Sequence, residues 1–172
     1  MYAEDCFEGG FVGTDFDLTI DLTGKFPDEW RNFNQEFIPK LLEKEPGKSR
    51  ISAGLACGAI WTVSRGMVDG DIVLSPDGRG RYRIGEVVGD YYYKPGEILF
   101  HRRPITWTDE YITRSEMSDE LRNSTGSIGT VCDVTKYAEQ IETLINGFGK
   151  PGLTTEDENV EDPTAFAMES HL

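Results

Sequence analysis

Residues 66–74, Gly66-Met67-Val68-Asp69-Gly70-Asp71-Ile72-Val73-Leu74, and residues 83–91, Arg83-Ile84-Gly85-Glu86-Val87-Val88-Gly89-Asp90-Tyr91, mark where the chain changes its period. Up to Arg65 the apolar residues recur at helical spacing, and from Asp69 they alternate. Asp71–Leu74 reads as a short strand and Pro76-Asp77-Gly78 as a turn. Tyr82–Val88 and Glu97–Trp107 read as two further strands around Lys94-Pro95-Gly96. Helical segments on both sides of this strand-rich centre predict an α+β domain.

Upstream, Gly10–Ile20 has loosely alternating β-type residues and reads as a strand with a turn at its end. Asp28–Lys44 follows as a helix, with Trp30, Phe33, Phe37 and Leu41 on one face and Pro39 expected to kink or divide it. Ser49 is placed to cap a second helix running to about Arg65. Downstream, Ser115–Arg122 reads as a short helix, and Val131–Asn146 as a segment that ends in a second one, with Tyr137, Ile141, Leu144 and Ile145 as its apolar face. Together these form a domain over 1–149. Residues 150–162, with five acids and almost nothing apolar, read as an acidic linker. Pro163 then opens what reads as a helix, the start of a following domain over 163–172.

A length of 172 residues favours one domain. No apolar run reaches the ~20 residues of a membrane span, and Met1–Asp5 has no basic or apolar signal region. Cys6, Cys57 and Cys132 lie far apart and read as reduced thiols, so a cytoplasmic protein is expected. The net charge is −14, but it is unevenly spread. Residues 1–47 carry eleven acids against four bases and 123–172 nine against two, whereas 48–103 has nine bases against six acids. A basic centre between acidic flanks permits a local phosphate contact with salt-sensitive affinity.

Nucleotide loops, metalloprotease motifs and nucleophile elbows are absent from the sequence. There are only two histidines, His101 and His171, and nothing has the spacing of a zinc site. The chain is therefore expected to bind rather than to catalyse, without a cofactor or metal.

A helix ending in M-x-x-G-D-x-V-L (67–74), a turn, then I-G-x-V (84–87) resembles the EVE branch of the PUA-like superfamily, related to the YTH readers of methylated adenine. Tyr91-Tyr92-Tyr93 and His101-Arg102-Arg103-Pro104-Ile105-Thr106-Trp107 look like the specificity domain of prokaryotic restriction-like proteins. The tail Phe166–Leu172 resembles the start of a NucS-like nuclease domain. The resemblance covers roughly residues 10–146. It implies a small mixed β-barrel flanked by helices that binds nucleic acid carrying one modified base in an aromatic pocket. It also places pocket residues at Asp15 and Phe16. The helix at 28–44, the acidic surface and the lack of a Trp-Trp pair depart from that pattern, so the identity of the base is not inherited.

A flipped base needs a flat apolar wall and a few polar groups to read its edge. Phe16, Trp61 and the run Tyr91, Tyr92 and Tyr93 can supply the wall, and Asp15 can accept from an exocyclic amine. Core packing is the alternative for the aromatics and turn formation for Asp15. Arg79, Arg81 and Arg83 alternate and share a face, either toward phosphates or toward the domain's own acids. Lys48 and Ser49 start a helix whose N–H groups favour an anion. Arg102 and Arg103 are expected to divide, one inward and one outward, with His101 structural. The resulting expectation is the DNA-recognition module of a modification-dependent restriction protein, joined to a nuclease domain. The alternative is a ligand- or partner-sensing domain that does not touch DNA.

Overall fold

A computed structural model describes residues 2–126, 131–146 and 165–168. In chain order the elements are α1 (Ala3–Gly9), β1 (Phe11–Thr14), α2 (Trp30–Lys44) and α3 (Arg50–Trp61), the last continuing as a π-helical turn at Thr62–Gly66. β2 (Ile72–Pro76), β3 (Arg81–Val87), β4 (Tyr92–Tyr93) and β5 (His101–Thr113) follow, then α4 (Asp119–Thr125), β6 (Val131–Asp133), α5 (Ala138–Asn146) and β7 (Ala165–Met168). The fold is α+β. Among the described residues no helix is long and apolar enough to cross a membrane.

The chain forms two compact units. The first comprises Asp5–Asp69 and Val87–Thr106. Here β1 pairs antiparallel with the start of β5, Phe11 opposite Pro104 and Thr14 opposite His101, and β4 pairs with the same stretch. Gly13 is required at its place in β1, because a Cβ there would lie 2.7 Å from the Leu99 carbonyl oxygen and 2.9 Å from that of His101. α2 packs against α3 through Phe33, Phe37, Leu41, Ala53, Ala56, Cys57 and Ile60, all buried, and Leu18 and Leu22 from the β1–α2 segment complete this core. Ser49 caps α3 by accepting from the Ser52 N–H at 3.1 Å.

The second unit comprises Met1–Glu4, Gly70–Glu86 and Trp107–Leu172. β3 lies between β2 and β5, while β2 pairs on its other edge with β7, which in turn pairs with β6. Its core joins Leu74, Tyr82, Ile84, Ile112, Met117, Leu121, Val134 and Ile141. Ser118 caps α4, as its place ahead of two acids suggests.

At several places the chain departs from its local pattern. The segment 131–146 does end in a helix, α5, but it opens with a strand that no local pattern marked, because Val131, Cys132 and Asp133 find strand partners in β7. Ala165–Met168 is likewise a strand where a helix was expected from Pro163, hydrogen-bonded between β2 and β6. Tertiary pairing outweighs the local preference at both places. Residues 150–162 lie outside the described residues. Pro39 does not divide α2. The strand expected at 97–107 starts at His101, since Leu99 takes a positive φ of 47° that breaks the extended run.

Candidate functional site

The first unit holds an open pocket of about 430 Å³. Phe26 and Tyr91 form its aromatic walls, their rings edge to face at 5.0 Å. Asp69 and Asp90 supply carboxylates, and Ser64 and Arg103 lie at its polar side.

The pocket exists because of how α3 ends. At Thr62 the helix widens into a π turn, closed by the Met67 N–H donating to the Thr62 carbonyl at 2.8 Å. Orphan carbonyls at a helix end need donors. Arg103, only 3% exposed, supplies them from β5. Its Nη1 donates to the carbonyl oxygens of Val63 (3.3 Å), Ser64 (3.2 Å) and Met67 (2.6 Å), and its Nε to Gly89 (2.7 Å). Nη2 lies 3.5 Å from the Asp69 carboxylate. Arg102 is buried too, donating to the Ile98 and Leu99 carbonyls over the Phe11 ring. The expected division of the two arginines therefore does not occur.

Trp61 holds the opposite side in place. Its indole N–H donates to the Pro27 carbonyl at 2.9 Å, next to Phe26, and its ring covers Gly66, where a Cβ would meet it at 2.8 Å. Trp61 positions the pocket without lining it.

Tyr91 is oriented by a buried polar chain. His101 is 0% exposed, and its Nε2 lies 2.7 Å from the Leu18 carbonyl oxygen. A carbonyl only accepts, so Nε2 carries the proton and Nδ1 accepts from the Tyr91 hydroxyl at 2.8 Å. That hydroxyl in turn accepts from the Leu22 N–H at 3.2 Å. Burial holds the His101 imidazole neutral, its pKa lowered to about 4, and pushes the Tyr91 phenol up to about 12. Tyr93 stacks on His101 at 5.5 Å, so Tyr91 and Tyr93 face the same ring, and strand alternation turns Tyr92 the other way.

Of the residues expected at a base pocket, Tyr91 alone lines this cavity. Asp15 is exposed just past β1. Phe16 packs at the edge of the α2–α3 core, with the Lys48 ammonium 5.8 Å from its ring centre. The aromatic wall beside Tyr91 is Phe26. No spacing marks it, because it lies in an irregular segment, and Asp69, Asp90 and Arg103 converge from separate stretches of chain. At the start of α3, Lys48 pairs with Glu45 at 2.8 Å and the Ser49 hydroxyl already occupies one free N–H.

The arginine row belongs to the second unit. Arg81 and Arg83 do share a face, with Tyr111 between them, 4.0 Å and 5.8 Å from the two guanidinium carbons. Arg81 pairs with Asp77 at 2.8 Å and Arg83 with Asp109 at 3.4 Å, so both answer the domain's own acids. Arg79 is exposed, its main-chain N–H donating to Asp77 in the turn. Burial works to raise the Asp77 carboxyl, but these hydrogen bonds together hold it below the usual range.

Among the described residues no group of His, Cys, Asp or Glu has the arrangement of a metal site. No curated protein and no solved structure matches the chain. One family model matches residues 1–135, a stretch that contains every residue of the pocket and of the arginine row; the chain belongs to that family, described as a domain of unknown function, DUF8426.

Proposed function

We propose that this chain is a nucleic-acid recognition module that holds one extruded, modified base in the cavity lined by Phe26 and Tyr91. The observation that carries this reading is the pocket itself: two aromatic rings in edge-to-face contact, two carboxylates in the lining, and a volume of about 430 Å³. That volume lies within the ~300–1,000 Å³ usual for small-ligand sites. Stacking on an aromatic wall contributes about 1–3 kcal/mol per base. The fixed Tyr91 ring, locked by His101 and Leu22, would lose little freedom on binding. The pocket lies in the less acidic of the two units. The pocket-bearing unit has thirteen acids against ten bases, whereas the other carries eighteen against seven. The EVE-type resemblance supports the same reading, as does its extension to a modification-dependent restriction protein in which this part recognises and a separate domain cuts.

A small-molecule sensor is the second reading. Asp69 and Asp90 favour it, since two carboxylates beside aromatic rings suit an amine-bearing ligand without any DNA. Fluorescence anisotropy with plain, methylated and hydroxymethylated duplexes over a salt series separates the two. A base reader prefers one modified duplex and loses affinity steeply with salt. Equal, weak binding to every duplex at low salt removes the base-reading proposal in favour of the sensor.

A further inference from the structure

The stretch Pro46–Val68 has no acidic residue in a chain that has 31 of them, and it carries Lys48, Arg50 and Arg65. It contains α3, whose inner face (Ala53, Ala56, Cys57, Ile60) is buried against α2. The outer face is apolar and open. Ile51 is 80% exposed and Leu55 68%, one turn apart. Gly58 continues the same ridge, and a Cβ built there would meet nothing within 4 Å. Lys48 pairs with Glu45 and Arg65 with Asp28. Arg50 is exposed and, among the described residues, makes no ion pair.

We infer that the outer face of α3 is a docking surface for duplex nucleic acid, separate from the pocket. Charge decides between occupants. A second copy packed antiparallel on this ridge would set Arg50 against its partner's Arg65 end, with no carboxylate on the stretch to answer it. A polyanion meets on the stretch itself the guanidinium of Arg50 and apolar groups, while Glu45 and Asp28 beside it are already held by Lys48 and Arg65. The N-terminal end of the helix adds its own positive potential beside Arg50. An α-helix fits the major groove, about 12 Å wide, and aliphatic side chains pack there on thymine methyls. Gly58 lets the helix backbone approach closely. Ile51 and Ser64 are thirteen residues apart, about 20 Å along a helix, so the ridge reaches a different part of the duplex from the pocket. The inference takes its partner class from the nucleic-acid reading but does not depend on a base entering the pocket.

The test uses the full chain and one duplex sequence with and without a modified base, read by anisotropy across salt, with thermal melting as the folding control. Both side chains are exposed, so Ile51→Asp/Leu55→Asp and the milder Ile51→Ser/Leu55→Ser should melt as wild type. The acidic pair should bind both duplexes roughly tenfold or more weakly, and Arg50→Gln should lower the salt slope by about one. The ratio of modified to plain affinity should stay unchanged. Wild-type affinity in all three variants overturns the inference while leaving the pocket reading standing. Loss of binding in the variants, with no base preference in wild type, overturns the pocket reading and supports this one. A wild-type dimer in sedimentation that the acidic variant converts to monomer makes the ridge a self-interface and overturns the inference. Absence of any duplex binding by wild type at low salt overturns both.

Discussion

Nη1 of Arg103 lies 2.6 Å from the carbonyl oxygen of Met67, and that contact closes the helix end from which one side of the pocket is built. The same nitrogen reaches two more carbonyls of the π turn, so one side chain serves as C-terminal cap for a widened helix. A capping group on another strand makes the pocket wall a product of tertiary structure.

Replacing Arg103 with Met should therefore be among the most damaging single changes. It strips donors from the carbonyls of Val63, Ser64, Met67 and Gly89 at a buried place. A loss of about 3–5 kcal/mol in urea unfolding is expected, as for removal of one partner from a buried charged network. Arg103→Lys should recover only part, because an ammonium cannot reproduce the planar fork that reaches Gly89 and Met67 together. Near-wild-type stability in the Met variant would show that the network does not hold the turn.

His101 predicts a pH dependence with a defined window. Its folded pKa is lowered to about 4, against ~6.5 for an unperturbed imidazole, so between those values the unfolded chain binds the proton more readily. Stability should fall as pH drops from ~6.5 toward 4, by up to roughly 3 kcal/mol from this group. Below 4 this contribution changes no further. Denaturant midpoints across that range should show the slope, and His101→Gln should flatten it. An unchanged slope in the variant would assign the effect to carboxylates instead.

Phe26 and Phe16 separate the pocket from the core edge. Phe26→Ala should weaken modified-duplex binding by about 10–100-fold, the loss of one stacking wall at ~1–3 kcal/mol. Phe16→Ala should leave the preference among duplexes intact, since Phe16 packs against the α2–α3 core and does not line the cavity. Melting curves on both variants are the control. The reverse pattern would return the pocket to the end of β1.

Arg81 is held by Asp77 and by the Tyr111 ring, with its side chain 41% exposed. Arg81→Gln should lower stability by no more than ~1 kcal/mol, the ordinary worth of a partly exposed ion pair. If the row touches phosphate, the same change weakens plain and modified duplexes alike and reduces the salt slope by about one. An unchanged slope leaves Arg81 as a partner for Asp77 and no more.

Part of this fold is encoded in local spacing. The row Phe33, Phe37 and Leu41 of α2 (Trp30, expected with them, is exposed), the Ser49 cap of α3 and the turn at Pro76-Asp77-Gly78 before β3 are all written within a few neighbouring residues, and so is the class α+β. The alternation that brings both Tyr91 and Tyr93 against the His101 ring is of the same local kind. Tertiary structure decided the rest. Val131 and Ala165 became strands because each found a ladder partner far away in sequence. Phe26 lines the cavity beside Pro27, whose carbonyl accepts from the Trp61 indole 34 positions further on. Arg103 turned inward because the oxygens it caps lie 36 to 40 positions earlier in the chain, and a guanidinium with four carbonyl partners is more stable buried than an arginine left at the surface beside an uncapped helix end. No short-range pattern carries those distances, because they are set only when β5 comes to lie beside the end of α3.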